Sequence, residues 1–400
     1  MAFTRRELAP LLLGAAGLAW PRPARAEVGP EDRKFLFILA NGGWDPAMAF
    51  AANAPDTDDI WTDELAQVAT SGGVDFVDSP LRPAVGEFFT RHGPDLAVLN
   101  GVEVRSVTHE RCRRLVLTGH SESGYDDWPA QLAGAQRDRY DLPGLVASGP
   151  SYTQEFSGSV TRLGNNSQLA ALLDGRALFD SEQPVEPLST DSRALVDAWL
   201  ATRHDSVPEG AFRDALVESE LQAAALRTSP LDLSAGGFGT ITMSRLRPVL
   251  DAFQQGLSRC ALLEHNGQFE ANFDSHGDIH QHNEHFQVLF TDLLWLMEEL
   301  ATRPGLQGGS LAEETVVVVY SEMGRGARMN SLGGKDHWTF TSSMLLGPGV
   351  ATGQTVGAYD DALVGQEVGG VRLTSRQLGA TVLALGGVTP DIDPIEDLLA

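Results

Sequence analysis

Residues 316–338, VVVVYSEMGRGARMNSLGGKDHW, decide how this chain is read. Val316–Tyr320 form an uninterrupted apolar run of the kind that fills a parallel strand buried on both faces. The run breaks into Ser321-Glu322, then Gly324-Arg325, then a glycine-rich loop carrying Lys335, Asp336 and His337. In open α/β sheets, ligands bind just beyond the C-terminal ends of the strands. Glu322, Asp336 and His337 are oxygen and nitrogen donors of the type that hold a divalent metal. The stretch points first to a metal-assisted hydrolase.

Working outward, Lys34–Ala40 (KFLFILA) reads as a second buried strand, and Leu96–Asn100 as a third. His285–Leu300 carries apolar residues at helical spacing: Phe286, Leu289, Phe290, Leu293, Met297 and Leu300. Ser343–Leu346 begins a further strand, and Leu378–Leu385 reads as a late helix. Strands alternating with helices predict an α/β fold with a doubly wound, mostly parallel sheet. Residues 142–240, rich in Ser, Gly, Pro and acidic side chains, read as an insertion or cap beside that sheet.

The first 26 residues read as a secretory signal. Arg5-Arg6 precedes an apolar run, and Ala24-Arg25-Ala26 follows as a small-residue cleavage signal, the layout of a twin-arginine leader. The expectation is a mature protein of about residues 27–400, passed through the twin-arginine export machinery to the periplasm or beyond. No window approaches the roughly 20 apolar residues a membrane span needs. Formal net charge is −25, and removing residues 1–26, with four arginines and one glutamate, would take it to −28. Such a surface argues against nucleic acid or an anionic membrane as partner. Lysine occurs only at 34 and 335, so Lys335 stands out inside GGKDHW. Cys112 and Cys260 either pair as an exported disulfide or are small buried thiols, the latter being the better reading for Cys112.

Asp45 follows the first strand through Gly42-Gly43. It is either a metal ligand or a helix-capping carboxylate. Thr108-His109 opens the segment HERCRRLVLTGH, a predicted helix. Thr108 either caps that helix or lies in its positive field as a hydroxyl nucleophile. Asp274-Ser275-His276 lies in the densest titratable cluster, with His280, His282 and His285 behind it; the same pattern also suits a solvated loop. Asp336 is either a ligand beside His337 or the carboxylate that orients it.

These segments resemble a known family. SEMGR, Asn330 and GGKDHW look like the signature of domain of unknown function 1501, a large and mostly bacterial exported family. Gly42–Asp45, Thr108-His109, Phe273–His276, LLGPGVATGQTVGAYDD and RLTSRQLGATVLALGGVTP extend the resemblance. The chain departs from the usual pattern at Met323, Ser275 and Thr108. The family is similar in fold to the alkaline phosphatase and sulfatase superfamily. The resemblance implies a sheet sandwiched by helices, with one or two divalent metals (Zn, Mn or Mg) at its C-terminal edge. Leu117-Thr118-Gly119-His120 partly echoes the sulfatase nucleophile helix, but no Cys stands where a sulfatase would modify one.

The expectation is therefore an exported hydrolase acting on a small anionic ester, a phosphate or a sulfate. Asp45, Asp274, His276, Glu322, Asp336 and His337 are the expected metal ligands. Thr108 with His109 is the expected nucleophile segment, unless activated water attacks instead. Arg325 or Lys335 is expected to bind the anion. The alternative is an exported binding or assembly protein that keeps the fold without turnover.

Overall fold

A computed structural model describes residues 28–54, 60, 62–164, 191, 194–195, 198, 231 and 239–400. The expected leader and most of 142–240 lie outside the described residues. Among the described residues, eight strands form one sheet. Its centre is β1 (Lys34–Ala40) between β7 (Cys260–His265) and β8 (Thr315–Ser321), all parallel. β5 (Gly144–Val146) and β6 (Val160–Arg162) extend one side in the same direction. The region expected as an insertion thus begins with two sheet strands. On the other side lie β4 (Leu96–Glu103) and β12 (Gln354–Val356), parallel to each other.

One strand runs the other way. β11 (Phe340–Leu346) is antiparallel to both β4 and β8. Its first residue therefore lies at the edge where β1, β4, β7 and β8 end. The hairpin of β9 (Gly324–Met329) and β10 (Lys335–Trp338) joins β8 to β11 over that edge. This reversal keeps Glu322 and His337 on the same side of the sheet. A smaller hairpin pairs β2 (Gln67–Ser71) with β3 (Val74–Asp78).

The period of two along each strand splits the core. Leu36, Ile38, Val317 and Val319 face one side, where they pack with α1 (Pro83–His92), α4 (Ile241–Gln254) and α5 (Gln281–Thr302). Phe35, Phe37, Leu39, Val316 and Val318 face the other, with α2 (His109–Thr118), α3 (Trp128–Gly134) and α6 (Ser375–Leu385). The result is a mixed, mostly parallel sheet between two helical layers. Among the described residues, no helix is long and apolar enough to cross a membrane. Cys112 and Cys260 are free thiols in the second core. Burial pushes them up to about 11 and about 12, which keeps them protonated and unreactive.

Lys34, at the start of β1, donates to Glu314 Oε2 at 2.7 Å, with both side chains 1% exposed. Removing one partner of such a pair strands a buried charge. Lys34→Met is expected to cost about 3–5 kcal/mol in urea unfolding free energy; an unchanged midpoint would show that the pair is dispensable.

Candidate metal centre

The sharp turn after β1 is built by Gly42 (φ +107°) and Gly43 (φ +84°). A side chain at Gly42 would place Cβ 2.5 Å from the Asp274 backbone nitrogen. That close approach brings the loop after β7 against the end of β1. Phe273 N donates to Asn41 O, and Gly42 N donates to Glu322 Oε1 at 2.7 Å.

Over this turn, imidazoles gather around one carboxylate. His337 Nε2 lies 3.0 Å from Asp274 Oδ1, and His276 Nε2 lies 3.1 Å from the same oxygen. His109 Nε2, from the first residue of α2, lies 3.2 Å from Asp274 Oδ2. Nitrogen or oxygen atoms of His109, Asp274 and His337 all fall within 4.8 Å of one another. The Nδ1 atoms of His337 and His109 are hydrogen-bonded from behind, and that of His276 faces a carboxylate. His337 Nδ1 is 2.7 Å from Val107 O, His109 Nδ1 is 3.0 Å from Glu322 Oε1, and His276 Nδ1 is 3.6 Å from Asp336 Oδ1.

These contacts test whether a cation fits. A carbonyl oxygen only accepts, so His337 Nδ1 carries a proton and donates it to Val107 O. His337 Nε2 then faces a carboxylate oxygen and His276 Nε2, 2.8 Å away, and a neutral ring would turn its lone pair toward both. Lone pair facing lone pair is repulsive unless a proton or a metal ion lies between. His109 Nε2 is likewise buried, and among the described residues it has no hydrogen-bond partner. Imidazoles oriented through Nδ1 by a carbonyl or carboxylate, with Nε2 convergent, form a donor set that suits a divalent ion.

The electrostatics agree. Burial works against ionised Asp274, yet the hydrogen bond from Arg325, with the charges of Arg325 and His109, holds it well below the usual carboxylate range. The hydrogen bond to Glu322 raises His109 against the effect of burial. Absent a metal, a protonated His109 would therefore help neutralise Asp274 and Glu322.

Other expected site residues have different surroundings. Asp45 is fully buried; Lys335 Nζ donates to its Oδ2 at 2.7 Å, and Ala47 N donates to its Oδ1 at 3.0 Å, capping a short 3-10 turn. Lys335 Nζ also donates to Ile60 O at 2.7 Å. Arg325, 0% exposed, donates to Gly43 O, Lys335 O, Gly42 O, Phe273 O and Asp274 Oδ1. Glu322, also 0% exposed, stands behind His109. Asp336 is exposed and accepts from Asn330 Nδ2 at 3.1 Å. Thr108 is exposed at the N-cap of α2, its hydroxyl caps nothing, and it meets Ser106 Oγ at 3.4 Å. His282 is buried behind the site, with Nδ1 accepting from Asp45 N and Nε2 donating to Phe273 O.

A helix-sandwiched, mostly parallel sheet with imidazoles and a carboxylate over its strand ends defines an α/β protein with a candidate metal centre. Within that class, residues 252–392 match the family model described as "Protein of unknown function (DUF1501)". The match contains Asp274–His276 and the whole of 316–338, and it bears out the family resemblance there; Gly42–Asp45 and Thr108-His109 lie before it. No curated protein matches the sequence. Among solved structures, the chain is similar to a phosphonate monoester hydrolase from Silicibacter pomeroyi, with 11% identity and a TM-score of 0.42 over 92% of this chain and 76% of that one. It is also similar to the lipoteichoic acid synthase LtaP from Listeria monocytogenes, with 8% identity and a TM-score of 0.39 over 92% and 74%. A sulfatase from Pseudoalteromonas sp. gives 12% identity and a TM-score of 0.39 over 92% and 72%. Likenesses this remote say nothing about what the chain binds or cleaves.

Burial depresses His282 well below its ordinary value and His285 to about 4. The unfolded chain takes up these protons near pH 6.5, whereas folded His285 refuses its proton until about pH 4. Their stabilising contribution is intact above pH 6.5 and is lost as pH falls through that window. His109, raised by its partner, works in the opposite sense and contributes most at low pH. The urea midpoint of His285→Gln is expected to fall less than that of the wild type between pH 6.5 and 4; parallel curves would contradict this assignment.

Proposed function

We propose that the protein is an exported metal-dependent hydrolase of phosphate or sulfate esters. The observation that carries the reading is His337, whose Nε2 is turned by the contact of Nδ1 with Val107 O toward Asp274 beside two further imidazoles. His109, Asp274 and His337 would hold a divalent ion, with His276 beside them. Imidazole and carboxylate donors suit Zn²⁺, Mn²⁺ or Mg²⁺. When bound, such an ion would polarise the ester's oxygens and lower the pKa of a nearby hydroxyl.

The chain's own groups have separable roles. Thr108 adjoins both Val107, which orients His337, and His109; its exposed hydroxyl lies at the positive end of α2, where developing negative charge is favoured. We assign it as the nucleophile. Glu322 fixes the His109 ring through Nδ1. Arg325 keeps Asp274 ionised and fixed. The Arg5-Arg6 leader supports export through the twin-arginine machinery.

Metal analysis and ester turnover test the reading together. Purified mature protein is expected to carry about one divalent ion per chain and to cleave an aryl phosphate or aryl sulfate. Asp274→Asn and His337→Ala are expected to lose the ion. Thr108→Ala is expected to keep it while kcat falls at least about a hundredfold. Protein that neither binds a divalent ion nor cleaves either ester would reject the proposal. Turnover that survives Thr108→Ala would transfer the attack to water.

A further inference from the structure

An anionic ester arriving at this acidic protein needs a cation with donors to spare. Arg325 and Lys335 are each 0% exposed, and their donors are committed to Asp274, Asp45 and backbone carbonyls. Releasing either would unmake the turn that supports the site. A different guanidinium is available. Arg113 lies one turn after His109 on α2, and residues four apart share a helix face. Its side chain is 29% exposed, close to the 28% of His109 and 33% of Asp274, so all three open to solvent.

Arg113 is held at the site without being consumed by it. Its Nη2 donates to Asn41 Oδ1 at the end of β1. Its Nε lies 3.8 Å from Glu322 Oε1, the oxygen that also meets His109 Nδ1 at 3.0 Å. That separation supplies attraction but no hydrogen bond, and Nε is buried without a partner among the described residues. Guanidinium offers five donors in a planar fork that matches tetrahedral oxyanions.

We propose that Arg113 binds the non-bridging oxygens of the phosphoryl or sulfuryl group, making it the anion-recognition residue of the site. The assignment rests on the hydrolase reading above. It places the bound anion between the guanidinium and the His109–Asp274–His337 cluster, on the face of α2 that begins with His109.

The test uses metal-loaded full-length mature protein with inorganic phosphate and sulfate as probes, read as inhibition constants and by calorimetry, alongside metal content and ester kinetics. Arg113→Met is expected to weaken binding of the preferred oxyanion and raise KM by roughly 10- to 100-fold while the metal content is unchanged. Arg113→Lys is expected to recover part of the loss, because an ammonium keeps the charge but not the fork. Oxyanion binding unchanged in Arg113→Met would overturn the assignment. So would loss of metal in both variants, which would make Arg113 a positioning residue acting through Glu322. A wild type that holds metal, binds neither oxyanion and cleaves neither ester would overturn both this assignment and the hydrolase reading. A wild type that binds and cleaves, with an indifferent Arg113→Met, would overturn this assignment alone.

Discussion

The buried guanidinium of Arg325 is the contact on which the site depends. It reaches the carbonyls of Gly42 and Gly43 after β1, of Phe273 after β7 and of Lys335 in the hairpin, and ends on the Asp274 carboxylate. Three segments far apart in sequence are thereby fixed to one planar cation. Only a guanidinium has enough donors in one plane for this; lysine offers three on a single atom. The interaction is electrostatic as well as geometric, since the same cation keeps Asp274 ionised despite burial.

A second buried pair divides the region into two. Asp45 and Lys335 neutralise each other beneath the open cluster, with no exposed surface on either side chain. Asp45 also caps its own 3-10 turn and receives Lys335 on its other oxygen, so both carboxylate oxygens are occupied. The cationic partner that a metal would supply to that carboxylate is already present as an ammonium. The open donors are the partly exposed imidazoles that gather on Asp274, where among the described residues no lysine is paired.

Much of the fold was legible because burial writes itself into composition. The runs FLFIL and VVVVY have no polar face and can only be central strands. Gly42-Gly43 announced the turn that lets the Asp274 loop approach. Strand direction was not legible: β11 is as buried as its neighbours β4 and β8, and burial carries no arrow. β5 and β6 were missed because three residues give no periodicity. In the site, Asp274 and His276 stand out by clustering, and His337 by its place in the glycine-rich loop after the valine run. The burial of Arg325 and Lys335 was not, since a sequence states a charge without its partner. The closeness of His109 and Arg113 was present in their four-residue spacing once a helix was assigned, but the Glu322 oxygen they share comes from the turn after β8, more than two hundred residues away.

The burial of both lysines has a practical consequence. The chain has two, and both are 1% exposed or less, each against a carboxylate. Acylating and cross-linking reagents that need a free ε-amine find none on the native surface, which presents only arginine among strong bases. The folded protein is in effect chemically blank to amine reagents, apart from its α-amino group. Uptake of such a reagent at residues 34 or 335 then marks opening of the sheet's N-terminal rim or of the site hairpin, giving two independent internal gauges of local unfolding.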